Sequence, residues 1–398
     1  MSDRIEVDIE LAGRTVHAAN LYPPKRPGGS FMLRYTDEYR ANPDAYPFAP
    51  QIPLTGGSFA GAAGLPGPMQ DGAPDRWGRL IVSRRIGRNP NDDDLLLGVS
   101  DHTRQGALRY RRGSALHQHP DNDTPPLLDL AQLQGAVDSV AADNDDNDAY
   151  KLLLQMGTDS LGGARPKAAV GKGDELWMAK FTHSTDAWSV IELEAVTLRL
   201  AAAASITVPQ HELVHVGARA VLLTRRFDRA QSGVRIGYIS AMTLLGNRDG
   251  DDMDYLDIVG DIQAVADQAE AQLHQLFRRI VFSLAVNNTD DHGRNHGFLR
   301  NDRGWVLSPA FDINPNPNTE ALRSTSIGGA RERSEGITAL LEEAGAFRLD
   351  PTEARAIVSE VAAAVSHWRT LMPPEIGEAQ RRDFQPVFDW LPALAKAG

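Results

Sequence analysis

Cysteine is absent from all 398 residues. That excludes disulfides, thiolate nucleophiles and cysteine-ligated zinc, and it agrees with a cytoplasmic setting. Long hydrophobic runs are also missing: no stretch approaches the roughly 18 consecutive apolar residues of a membrane helix. The opening MSDRIEVDIELAGRTV has neither a basic n-region nor an apolar core, so no secretory signal and no membrane partner are expected. Basic charge is scarce, with 41 Lys and Arg against 53 Asp and Glu and a formal net charge of −12. A whole-surface attraction to nucleic acid is thereby disfavoured, a local basic patch aside. If the chain reaches DNA, a basic partner makes most of the contacts. What remains is an ordinary globular composition, 42% hydrophobic and 24% charged, in a chain long enough for two or three domains.

The N-terminal stretch IEVDIELAGRTVHAANLY alternates as two strands around LAGR, and GGSFMLRYTDEYRA adds another strand. PDRWGRLIVSRRIG reads as a short helix. Residues 1–112 are expected to form a small strand-rich domain, with 113–149 a linker around the acidic run AADNDDNDAY. From 150 to 236, RPKAAVG and ELWMAKFTH pair around GKGD, SVIELEAVTLRLAAAAS is a helix, and ARAVLLTRRFDRA begins as a buried strand. From 237 to 398 helices dominate. In AQLHQLFRRIVFSLAV, Leu273, Leu276, Phe277, Ile280, Val281 and Leu284 recur at helical steps along one apolar face. Three further helices are expected at about 336–346, 351–372 and 377–394. The fold class is α+β, with a mixed lobe followed by an all-helical lobe.

Four elements carry chemistry. Asp290 and Asn295, in NNTDDHGRNHGF, have the D-x-x-x-x-N spacing that joins a catalytic Asp to a magnesium-binding Asn in protein kinases. The Asp orients an attacking hydroxyl and accepts its proton, and the Asn carbonyl holds a hard cation. Asp312, in LSPAFDI beyond the strand WVL, stands where a carboxylate would hold the metal bridging two phosphates. Lys180, in WMAKF, sits on a strand and would reach nucleotide phosphates, with Glu194 on the next helix as its partner. Gly162 and Gly163, in DSLGGARPK, permit a close backbone approach to phosphate. Taken singly, each has a bland reading as a solvated strand lysine, an exposed helix charge, a turn aspartate or a hairpin. Their order is what carries weight. His292 and His296 stand four apart, as zinc histidines do, but Gly293 lies between them and no H-E-x-x-H glutamate is present. His292 is instead expected to hydrogen-bond and stiffen the catalytic loop.

The segments SLGGARPK, MAKF, RRFDR, NNTDDHGRN and LSPAFDI appear in the order found in the HipA family of toxin kinases, which this chain resembles along nearly its whole length. SITVPQHELV and LLLGVSDHTRQGALRYRR are similar to family segments too. The resemblance implies a protein-kinase-like two-lobed fold behind a small N-terminal domain. It implies ATP- and Mg2+-dependent phosphorylation of serine or threonine on a protein such as glutamyl-tRNA synthetase. It also implies a HipB-like helix-turn-helix antitoxin through which operator DNA is reached. Asp290 then matches the catalytic base, Asn295 and Asp312 the metal ligands, and Lys180 the ATP-phosphate lysine. Gly162, Gly163, Ala164 and Lys167 fall in the phosphate loop, with His292 beside the nucleotide. Ser160 matches the serine that family members autophosphorylate, and Arg225 to Phe227 the segment that binds adenine. The sequence departs from the family at Arg225, where Glu is common, and at ARPK, where others carry AQEK and where Pro166 removes an amide donor. The alternative from another class is a degenerate kinase acting as a corepressor with its antitoxin. A third reading is a metal-dependent hydrolase built on His292 and His296.

Overall fold

The computed structural model describes every residue except 1–3, 12, 27, 62–63, 75, 114–129, 143–146, 156–164, 231–232 and 398. The chain divides into two compact units, residues 1–185 with 214–239, and residues 186–213 with 240–398.

The first unit opens with strands β1 (Ile5–Leu11), β2 (Arg14–Tyr22), β3 (Met32–Tyr35), β4 (Phe59–Ala60) and β5 (Leu108–Arg111), ordered β4-β3-β2-β1-β5. The period-two pattern of β1 buries Ile5, Val7 and Ile9 completely. Its other face carries Glu6 and Asp8, which are buried as well because Arg111 of β5 pairs with both. The second sheet holds β6 (Lys167–Lys172), β7 (Glu175–Phe181), β8 (His211–Val216) and β9 (Arg219–Arg225), ordered β6-β7-β9-β8. One face of that sheet, Ala168, Val170, Trp177, Ala179, Phe181, Val221 and Leu223, packs on Trp77 and Ile81 of the helix Arg76–Ile86 and on the helix Leu130–Ala141. Burying each large apolar side chain there contributes about 1.5–3 kcal/mol.

The structure differs from the sequence reading at 113–149. Leu130–Ala141 is a helix whose Leu130, Leu133, Val137 and Val140 join this core. Its weak LAQLQGAVDSVA pattern is easily lost beside the acidic tract that follows.

The second unit centres on the helix Ala269–Ala285, whose expected apolar face is wholly buried: Leu273, Leu276, Phe277, Ile280, Val281 and Leu284 have no exposed surface. The helices Tyr255–Val265, Arg333–Glu342, Pro351–Val365 and Glu378–Ala397 pack on it. Pro351–Val365 begins with a capping box in which Asp350 accepts from Thr352 and Glu353, as its DPTE start predicts. The unit is not purely helical. Gly297–Arg300 and Trp305–Leu307 form an antiparallel hairpin just beyond the polar cluster. The helix Val190–Ala203 belongs to this unit and packs on Pro351–Val365. Among the described residues, no helix is long and apolar enough to cross a membrane.

Candidate active site

The polar cluster begins where Ala269–Ala285 ends. That end is capped from a distance: Arg333 donates to the carbonyls of Leu284 (2.7 Å) and Ala285 (2.6 Å), and to that of Val387 (2.7 Å). Burial holds the Arg333 guanidinium down at about 9, so it is the satisfied carbonyls and the Trp390 ring, 4.1 Å away, that make the buried cation tolerable. Asn287 follows with φ +52, a left-handed conformation that asparagine accepts more readily than most residues. Its amide donates to the carbonyls of Asn316 (2.8 Å) and Asn318 (2.9 Å). Thr289 accepts from Asn316 through its hydroxyl (2.8 Å) and from the Ser324 amide through its carbonyl (2.9 Å). The asparagines of NNTD and INPNPN are therefore a ladder that locks the loop to the segment after Asp312.

Asp290 emerges from this frame exposed to solvent. Its carboxyl pKa is nonetheless raised, first by partial desolvation, then by repulsion from Asp312 and Asp291, with His292 opposing. Asp290 and Asp312 lie within electrostatic range of each other. Asn295 turns back on the same loop, its Nδ2 donating to the Asp290 carbonyl at 2.9 Å. Asp312 has φ +57, a left-handed conformation outside its usual range, and its Oδ1 accepts from Asn314 Nδ2 at 3.1 Å.

The side chain beneath the loop is Asp291, which the sequence reading passed over. It is 5% exposed. It accepts from Tyr255 and from Ser283 (2.7 Å), pairs with His296 Nε2 (2.8 Å), and has Arg323 at 3.6 Å. Burial alone would raise its pKa; His296, Arg323 and the Tyr255 hydrogen bond outweigh burial and hold it well below the usual carboxylate range. His296 is thus committed to Asp291. His292 and His296 do not share a helical face, because Gly293–Asn295 between them is a single 3-10 turn with extended residues on either side. Gly293 is closely packed there: a Cβ would stand 3.2 Å from the Met242 backbone nitrogen and 2.9 Å from Met253 Sδ.

In the first unit, Lys180 of β7 faces Lys167 of β6 directly across the antiparallel pair. Both are buried, at 4% and 2% exposed, on the sheet face opposite the Trp177 core. Leu222 is the register partner of Lys180 on β9. Arg225 pairs with Glu175 at 3.0 Å, and the Phe227 ring lies 6.3 Å from that of Tyr238. The rest of RRFDR is structural. Asp228 accepts from Arg226 (2.7 and 2.6 Å), Arg229 (2.8 Å) and the Gly106 amide (2.8 Å), which ties the strand end to the DHTRQG segment. Glu194, 1% exposed, lies on Val190–Ala203 in the second unit with Asp290, Asn295 and Asp312. Ser160, Gly162, Gly163 and Ala164 fall outside the described residues.

A family model for the HipA-like C-terminal domain matches residues 159–368. A chain of the Shewanella oneidensis MR-1 toxin–antitoxin system HipA, HipB and its operator DNA complex superposes with a TM-score of 0.73, covering 99% of this chain and 97% of that one at 17% identity. The protein-kinase-like α+β fold expected from the sequence is therefore the observed one. The Sinorhizobium fredii (strain NBRC 101917 / NGR234) protein named "Putative kinase Y4dM" is 25% identical over 254 residues. That match takes in 59% of this chain and 58% of the relative, so the chain spans less than two thirds of that relative's length. With its family model covering more than half of its residues, the chain belongs to the HipA-like C-terminal domain family.

Proposed function

We propose that the chain is the kinase toxin of a toxin–antitoxin pair, transferring the γ-phosphoryl group of ATP to a serine or threonine of a cellular protein. What supports this reading is that Asn295 bonds back to Asp290 on one loop, that the asparagine ladder ties this loop to the segment after Asp312, and that Asp312 contributes to raising the Asp290 pKa. The Asp312 carboxylate and the Asn295 amide oxygen make an oxygen-only donor set, which suits Mg2+. The mutual repulsion that raises the Asp290 pKa is the kind a cation relieves. Asn295 and Asp312 would hold the ion, which when bound neutralises charge on the transferring phosphoryl group.

The chain's own groups do the rest. Asp290 orients the attacking hydroxyl and takes its proton. Lys180 and Lys167 supply two adjacent positive charges for phosphate oxygens. Phe227 and Arg225 are assigned to the adenine, His292 to the loop beside the nucleotide, and Gly162, Gly163 and Ala164 to the phosphates. Ser160 is the assigned site of self-phosphorylation, where about two added negative charges beside bound phosphates would expel the loop and silence the enzyme. Glutamyl-tRNA synthetase or another translation component is the assigned substrate class. A HipB-like helix-turn-helix antitoxin is the assigned partner, and at a net charge of −12 this chain leaves DNA contact to it.

The test is transfer from γ-labelled ATP to the chain itself or to added protein, followed by phosphoamino-acid analysis. Label should appear on serine or threonine, vanish when EDTA removes divalent metal, and return with excess Mg2+. A chain that binds an antitoxin and its operator but transfers no phosphate under any metal condition overturns the reading in favour of a corepressor.

A further inference from the structure

Thr197 lies one turn after Glu194 in the helix Val190–Ala203 and has no exposed surface. The helix is buried nearly all round, so a hydroxyl there costs free energy unless it is bonded. Two acceptors are within reach, the helix's own Glu194 carbonyl at 2.9 Å and the Ile313 carbonyl at 2.6 Å. A hydroxyl has one proton to give. The Glu194 carbonyl lies inside a helix, where the ladder already serves it. Ile313 lies in residues 308–316, which have no regular secondary structure to supply a ladder donor. The shorter bond therefore runs to Ile313, the residue directly after Asp312.

Asp312 is held at φ +57, a conformation that for a non-glycine residue persists only where its surroundings determine it. Asn314 fixes one oxygen of its carboxylate. Upstream, the Ala310 amide is tied to the Thr207 carbonyl at 2.8 Å. The Thr197 bond secures the downstream side. Its helix is itself anchored, with the Ser189 amide on Gln380 Oε1 at 3.4 Å and the Trp188 ring 6.1 Å from Phe384.

We propose that Thr197 is a positioning residue for the metal ligand Asp312, holding the Ile313 carbonyl so that the carboxylate is presented in one orientation. This rests on the reading of Asp312 as a Mg2+ ligand. It ties that ligand to the same helix that carries Glu194, so the two are set together within one unit.

The test compares wild type, Thr197→Val, Thr197→Ala and Thr197→Ser in the full chain. ADP binding is measured by calorimetry without metal and across a Mg2+ titration, alongside thermal midpoints. Val and Ala remove the donor, and Ser keeps it. Val and Ala should raise the half-saturating Mg2+ concentration about tenfold, the effect expected when support behind a metal ligand is removed. Metal-free ADP affinity should stay within about twofold of wild type, and Ser should restore the Mg2+ response. Donor-less variants that titrate like a Mg2+-responsive wild type overturn the role of Thr197 alone. So does a loss that Ser fails to restore, or an equal loss of metal-free affinity. A wild-type chain whose ADP binding ignores Mg2+ overturns the site reading itself and this role with it.

Discussion

Replacing Asp290 by Asn should abolish phosphate transfer and at the same time raise the thermal midpoint. The loss of activity follows from the assigned role: an amide cannot accept the hydroxyl proton, and removing a positioned general base costs roughly 10²–10⁴ in rate. The gain in stability follows from the direction of the pKa shift. Desolvation, Asp312 and Asp291 raise the Asp290 pKa above its unfolded value. The folded state therefore holds the proton more tightly than the unfolded state. Its stability is greatest below the ordinary carboxylate range and declines as pH rises through the folded pKa. At neutral pH the charge is a standing cost that Asn removes. Initial labelling rates and calorimetric scans of the two proteins read both effects. A variant that transfers phosphate within tenfold of wild type defeats the assignment. A midpoint that falls shows that the repulsion from Asp312 is already relieved by other groups.

That pairing of effects separates a catalytic carboxylate from a structural one, and the sequence distinguishes the two poorly. NNTDDHGRNHGF places Asp290 and Asp291 side by side with nothing local to rank them. The spacing to Asn295 singles out Asp290 because loop chemistry is local and leaves a fixed interval. What singles out Asp291 is Tyr255, Ser283, His296 and Arg323, two of them more than 30 residues away in the chain, and burial that periodicity does not encode. Arg333 is hidden for the same reason: its partners Leu284 and Val387 stand about fifty residues off on either side. Helices with a strong apolar stripe, such as Ala269–Ala285, were legible almost to the residue, and so was the hairpin of β6 and β7 around GKGD. Leu130–Ala141 was not, since alanine, glutamine and glycine give its stripe little contrast. Val190–Ala203 was legible as a helix, but its grouping with the second unit follows from packing on Pro351–Val365, which no local pattern records.

Asp291→Ala should instead cost the protein much of its stability. The carboxylate and the Arg323 guanidinium have side chains only 7% and 1% exposed, 3.6 Å apart. Removing one member of such a pair leaves the other charge buried and unanswered, at a cost of about 3–5 kcal/mol. That is a large share of the roughly 5–15 kcal/mol by which a domain is stable. Tyr255, Ser283 and His296 lose an acceptor in the same step, so the cost is shared within one network and is not a sum of separate bonds. Asp291→Asn retains an acceptor oxygen and should fall between wild type and Ala. The pH dependence has the opposite sign to that of Asp290. The folded pKa of Asp291 is depressed, so its contribution is fully present above the ordinary carboxylate range and is lost as pH falls through the folded value. Denaturant midpoints should therefore differ most between wild type and Asp291→Asn near neutral pH and converge in strong acid. Arg323→Met should destabilise alone, yet combined with Asp291→Asn it should cost less than the two single changes added, because the second removes the charge that the first stranded. Strict additivity in that cycle would show that the pair is not what holds the loop, and would return the anchoring of Asp290 to the asparagine ladder of 287, 316 and 318.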